Sequence, residues 1–217
     1  MKRVFSPGCA LLIYKPELAV RLLTLLQTEF PGLVEHSICC HHDPQLAAGT
    51  EIINVCAGCD RRFRELYETT TTTALWEILA ISASFPFPDY QGRHMSILDA
   101  CPTSDQPRVH NAVRRLLDRM NINLTEPEKN GINSTCCGDS FLGKLPIAQV
   151  KEQMHKRAAE MPAEDVVVYC VSCIKSMHIG GKQPRYLVDL LFAEETQPGT
   201  FEPEDWHAEL DAFIAER

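Results

Sequence analysis

The sequence has no basic excess. Its 29 acidic residues outnumber 21 basic ones, for a net charge of −8 and a pI near 5.5. A nucleic-acid binder needs a basic footprint on the phosphates, and this balance argues against that class. Long apolar runs are also lacking. The most apolar stretch, Ala74 to Phe87, is interrupted by Glu77 and Pro86 and falls short of the ~20 apolar residues a membrane span needs. The opening residues, Met1-Lys2-Arg3-Val4-Phe5-Ser6-Pro7-Gly8, contain no apolar core of a secretory signal. No G-x-G-x-x-G occurs, so a dinucleotide fingerprint is absent. Gly138 to Leu145 approaches a P-loop, but Leu145 stands where the magnesium-binding Ser or Thr belongs, and the match is read as chance. These absences set the expectation of a soluble, cytoplasmic chain.

What the sequence does have is cysteine, ten of them in 217 residues. With 45% apolar and 23% charged residues the chain can bury a core, in one large domain or two small ones. A cytosolic compartment keeps thiols reduced, so five disulfides are not expected. The positions carry more information than the count. Cys9, then Cys39-Cys40, then Cys56 and Cys59 form one set. Cys101, then Cys136-Cys137, then Cys170 and Cys173 form another. Each set is a lone cysteine, an adjacent pair and a Cys-x-x-Cys, and no cysteine falls outside the two. The offset between corresponding cysteines grows from 92 to 97 to 114 residues. The chain therefore reads as an internal duplication in which the second copy carries insertions. Its expected halves are 1–88, the first cysteine-rich α/β half, and 89–217, the second with a C-terminal helix.

Patterning places the cysteines. Short strands are expected at Lys2–Ser6, Val34–Ile38, Glu51–Val55, Met95–Leu98 and Asp165–Tyr169. Helices are expected at Glu17–Glu29, Pro107–Met120, Ile147–Glu160 and Glu202–Arg217. Alternating strands and helices predict an α/β fold of two pseudo-repeated Rossmann-like parallel-sheet units. Several cysteines then fall just past strand C-termini, the rim where open α/β sheets bind ligands, and helix N-termini there favour the thiolate a metal requires. The threonine run Thr69–Thr73 reads as a helix boundary or loop, and Ser84–Gly92 as the link between halves.

Three chemistries compete for such cysteines. Structural zinc takes four ligands, whereas each set supplies five. A thioredoxin-like redox motif matches Val55-Cys56-Ala57-Gly58-Cys59 after a strand, but leaves three cysteines per set unexplained. An iron–sulfur group presents several irons, so adjacent cysteines can serve neighbouring metals.

The motifs Ser6-Pro7-Gly8-Cys9, Thr135-Cys136-Cys137-Gly138 and Val168-Tyr169-Cys170-Val171-Ser172-Cys173 resemble the cysteine-rich CCG-domain family. That family includes the cysteine-rich subunits of heterodisulfide reductase and of anaerobic glycerol-3-phosphate dehydrogenase, and a lactate-utilisation protein. The resemblance implies iron–sulfur clusters of the [4Fe–4S] type on all ten cysteines. It also implies an oxidoreductase or electron-transfer subunit of heterodisulfide reductase type, which reduces a disulfide or related thiol compound with electrons from a partner protein. The first pair departs from the motif: it reads Cys39-Cys40-His41-His42-Asp43, without the glycine. The expected first centre is therefore a cluster or zinc, with His41 and His42 as candidate ligands or proton donors, or as plain loop residues. The motif's glycine is expected to let the backbone approach the cluster. Asp99-Ala100-Cys101-Pro102 is a mild variation on the Asp-Pro-Cys setting common in the family. Gly180, Gly181, Lys182 and Arg185 are read as a solvated loop, with an anion site as the other reading.

Overall fold

The computed structural model describes residues 2–199 and 202–216. Met1–Phe85 together with Ala208–Arg217 form one compact unit, and Pro86–His207 form another.

The first unit begins with β1 (Arg3–Ser6), followed by α1 (Cys9–Tyr14), α2 (Pro16–Glu29), β2 (Val34–Glu35), β3 (Glu51–Asn54), α3 (Ala57–Leu66), β4 (Thr71–Ala74) and α4 (Leu75–Ile81). Its four strands are all parallel, in the order β2-β1-β3-β4. α2 opens on Pro16, whose missing N–H costs nothing in a first turn, and it buries Leu18, Ala19, Leu22 and Leu26 on one face. β3 is buried at all four positions, as a parallel strand covered on both faces must be.

The second unit repeats the plan with β5 (Arg93–Leu98), α5 (Pro107–Arg119), β6 (Ile122–Thr125), α6 (Ile147–Ala159), β7 (Asp165–Val168), α7 (Val171–Ile179), β8 (Gln183–Tyr186) and α8 (Leu187–Leu191). Its sheet is again all parallel, in the order β6-β5-β7-β8. Val166, Val167 and Val168 of β7 and Val113 and Leu116 of α5 are fully buried, each such side chain stabilising the fold by about 1.5–3 kcal/mol. The last helix, α9 (Pro203–Ala215), contributes its first residues to the second unit and the rest to the first. The expected helix end at Arg217 lies outside the described residues.

The two parallel sheets flanked by helices are the expected α/β class. The threonine run is where local expectation fails. Thr71–Ala74 is strand β4, at the sheet edge beside β3. The β branching that discourages a helix suits a pleated edge strand. Its counterpart β8 has the same alternation of exposed and buried positions, and tolerates Pro184 because an edge strand can spare an N–H. Among the described residues no helix is long and apolar enough to cross a membrane.

Candidate metal centres

Both cysteine sets occupy the same places on the same strands. Cys9 lies three residues past the end of β1 and opens α1. Cys101 lies three residues past the end of β5 and opens a 3-10 turn, Cys101–Thr103. Cys56 and Cys170 each lie two residues past the other central strand, β3 or β7, and cap the helix that follows. Cys59 and Cys173 sit in the first turns of those helices, α3 and α7. Each Cys-Cys pair arrives on the loop that leaves one edge strand, β2 or β6. The rim at the strand C-termini, not proximity in sequence, gathers five cysteines per unit.

None of the ten is in a disulfide. The thiols are strung together by hydrogen bonds, in the same order in each unit. In the first, Cys9 contacts Cys39, Cys39 contacts Cys40, Cys40 contacts Cys59, and Cys59 contacts Cys56. In the second the chain runs Cys101, Cys136, Cys137, Cys173, Cys170. The first member of each pair accepts from two neighbouring thiols. Hydrogen bonds from Cys40 and Cys9 hold the Cys39 thiol far below the ordinary range, and bonds from Cys101 and Cys137 do the same for Cys136. The donors shift the other way: Cys9 and Cys101 are pushed up by that hydrogen bond and by burial. Cys59, Cys137 and Cys173 are also pushed up by neighbouring thiols and burial. Five such thiols ionise together only if a cation supplies the compensating charge.

The supports under the two sets differ. Gly138 has φ +110°, and a Cβ there would lie 2.6 Å from Met154 Cγ and 2.8 Å from Met154 N, in α6. The motif's glycine is thus required by a helix packed on the pair's loop. The approach expected from sequence was to the cluster itself. The first unit has no helix between β2 and β3, and its pair tolerates His41 at the corresponding place. That helix also accounts for most of the seventeen extra residues after the second pair. The close approach in the first unit occurs at Gly8 instead, with φ +79°. A Cβ there would lie 2.7 Å from Cys56 Cβ and 3.3 Å from Cys59 Sγ.

Around the second set a buried polar network holds the loops. Arg114 donates two hydrogen bonds to the Asp99 carboxylate, at 2.6 and 2.7 Å, and Gly131 N donates a third at 2.7 Å. Tyr169 OH, beside Cys170, donates to the same carboxylate at 3.0 Å. Ser134 Oγ donates to Asp99 O at 2.9 Å. The segments carrying Cys101, Cys136 and Cys170 are therefore tied to one residue. Burial would raise the Asp99 pKa, but Arg114 and Gly131 outweigh it and keep it below the usual carboxylate range. In the sequence Asp99 shows only as part of a motif variant. Its signal is a charged residue directly after a buried strand, which must find a partner.

His41 and His42 are exposed. His42 N donates to Cys39 O at 2.9 Å, and Tyr67 OH donates to His42 O at 2.9 Å, so the loop is pinned through its backbone. Asp43 closes a turn by accepting from Gln45 N at 2.8 Å, and no helix follows it. Lys182 and Arg185 are not an anion site. Lys182 Nζ donates to Met161 O and Ala163 O at 2.9 and 3.0 Å, while Arg185 pairs with Asp165 and Glu195 at 2.7 Å. The residues from Gly138 enter a 3-10 turn, Asp139–Phe141, and not the strand-to-helix setting a P-loop needs.

The residues of α9 that belong to each unit pack near that unit's cysteines. Trp206 Nε1 donates to Ser172 Oγ, inside the second Cys-x-x-Cys, at 3.0 Å, and His207 Nε2 lies 3.0 Å from Asp139 Oδ1. Leu210, Phe213 and Ile214 pack on the cluster that contains Cys9, Cys39, Cys40 and Cys59.

Among the described residues no three His, Cys, Asp or Glu side chains converge to hold a single metal ion. One tetrahedral ion takes four ligands around a point, one fewer than each string supplies. Thiols grouped in this way suggest a bound metal cluster.

Residues 95–178 match the family model of the CCG cysteine-rich domain. The matched span starts in β5, ends in α7, and contains all five cysteines of the second set and none of the first. The resemblance carried by the sequence motifs holds there, and with the clustered thiols it points to an iron–sulfur-type redox module. No curated protein matches the chain.

Proposed function

We propose that this chain is an iron–sulfur oxidoreductase subunit with one [4Fe–4S]-type centre on each cysteine set, and that it reduces a disulfide or related small thiol compound. The observation that carries the reading is the identical contact order of five thiols in the two units. A duplicated scaffold keeps all five positions through insertions only when all five are used together. Cys101, Cys136, Cys137, Cys170 and Cys173 hold the second group, and Cys9, Cys39, Cys40, Cys56 and Cys59 the first. When bound, such groups supply one-electron transfer.

The chain's own residues do the rest. Burial of Cys59, Cys137 and Cys173 keeps water from the thiolates. Asp99 positions three of the second set's loops. Reduction of a disulfide takes two electrons and two protons and breaks one S–S bond to give two thiols. His41 and His42, exposed beside the first pair, are the candidates for supplying protons to a departing thiolate, with His42 Nε2 3.4 Å from Ile214 O. With no dinucleotide fingerprint in the chain, the electrons come from a donor protein.

Anaerobically purified protein should contain iron and acid-labile sulfide, about four of each per site by four-iron stoichiometry. Zinc without sulfide would overturn the reading. Given a one-electron donor, the loaded chain should consume a small disulfide and release thiols. Reoxidation by a protein acceptor alone, with no disulfide consumed, would make it an electron relay. Efficient turnover with NADH and no partner would rule out the donor-protein arrangement.

A further inference from the structure

The first unit contains a histidine that the motifs do not include. His36 directly follows β2 and precedes Cys39 by three residues. Its amide donates to Phe5 O at 2.7 Å, which fixes its backbone against β1. Its ring leans on Phe63, with centroids 6.1 Å apart, and the residue is only 8% exposed. Nε2 is buried with no hydrogen-bond partner among the described residues. A buried ring nitrogen left unpaired is costly, and such a group calls for an explanation such as a functional role or an occupant. His36 lines a cavity of about 10 Å³ together with Ser6, Gly8, Cys9, Cys39 and Cys40. His36 and three cysteines of the first set therefore line one small cavity.

The second unit has no such residue. Three positions before Cys136 stands Asn133, which is exposed. There the first sulfur of the pair is served by Ser140 Oγ, which donates to Cys136 Sγ at 3.0 Å. The corresponding position after Cys39 is Asp43, a carboxylate already engaged by Gln45 N and unable to donate.

We propose that His36, as the Nε2–H tautomer, donates a hydrogen bond to a sulfur of the group held by the first cysteine set, the role Ser140 has in the second. This rests on the reading that the first set holds an iron–sulfur group. Hydrogen bonds to cluster sulfurs favour the reduced, more negative state and so raise the reduction potential. His36 is thus a positioning and tuning residue, and the first centre owes part of its potential to it.

The test is a redox titration of the anaerobically purified full chain, followed by electron paramagnetic resonance. His36→Phe keeps the aromatic bulk and removes the donor. His36→Leu removes it with a smaller side chain, so a folding failure of one variant does not decide the matter. Both should retain the iron of the first centre. Both should lower its reduction equilibrium constant about tenfold, a shift of about 59 mV for one electron, and leave the second centre where it was. His36→Gln, which keeps an N–H donor, should recover part of the shift. Ser140→Ala should move the second centre alone. Iron at the first site with an unmoved midpoint in the donor-less variants would overturn the proposal by itself. Loss of first-site iron in all three His36 variants would make the imidazole a ligand and overturn the donor role. A wild-type chain with no iron at the first site would overturn the underlying reading, and the proposal with it.

Discussion

The two units place five thiols in the same order on the same rim, but support them in different ways. In the second, α6 presses on the pair's loop and requires Gly138, and Asp99 ties three loops together through Arg114, Gly131 and Tyr169. In the first, no helix lies between β2 and β3. Gly8 lets the lone-cysteine turn approach Cys56 and Cys59, and apolar residues of α9 pack on the buried cluster that includes Cys9, Cys39, Cys40 and Cys59. The lesson is that the arrangement of thiols is the repeated feature, and the surroundings are free to diverge. The glycine in the motif belongs to those surroundings, so its absence after Cys40 does not by itself make the first centre a different metal site.

The largest separation between the units should come from ligand replacement. Cys137→Ser replaces a thiol with an alcohol that stays protonated at neutral pH. It should remove the second centre's iron and leave the first centre's spectrum in place, with Cys40→Ser doing the reverse. Unchanged iron signals in Cys137→Ser would break the assignment of the second set.

Next in size is Asp99→Ala, which strips Arg114 of its buried partner. Because Arg114 is partly exposed, the loss should sit at the low end for a broken buried pair, about 3 kcal/mol by urea unfolding. A cost no larger than that of an ordinary surface substitution would show that the network does not hold the second unit.

Gly138→Ala should destabilise by about 2 kcal/mol, since the new Cβ meets the Met154 backbone, which cannot step aside. His41→Gly, which installs the motif's glycine in the first unit, should change stability by no more than about 0.5 kcal/mol and leave first-site iron as it was. A gain of iron at the first site on that substitution would show that the glycine serves the cluster after all.

The smallest effect is on pH dependence. The Asp99 carboxyl is lowered in the folded chain, so its contribution is full above the unfolded carboxylate value of about 4. It is lost as pH falls through the lower folded value. Acid unfolding of the wild type should be steeper below pH ~4 than that of Asp99→Asn, which has no proton to take up there. Parallel acid curves would mean Asp99 is not depressed.

Local patterning made the central elements legible. β7 shows as an apolar run because both its faces are covered, and α5 because Val109, Val113, Leu116 and Leu117 recur at helical spacing. The edge strands β4, β6 and β8 were not legible. Thr71–Ala74 has no apolar face to reveal it, and its pairing with β3 is made by residues about twenty positions earlier. The ten thiols stood out as a repeated spacing, yet His36 did not, because a single histidine after a two-residue strand carries no pattern. Only its burial and its unpaired nitrogen distinguish it from the exposed His41 and His42.

By itself the sequence determined two parallel α/β units and the membership of each cysteine set. Hydrophobic periodicity and spacing are local properties of a chain, and both survive the insertions between the repeats. Tertiary structure decided which thiols touch, because that depends on how loops from three different strands meet. It also decided why Gly138 must be glycine and His41 need not be. That constraint is a steric contact with Met154, sixteen residues further along, and only the packing of α6 creates it.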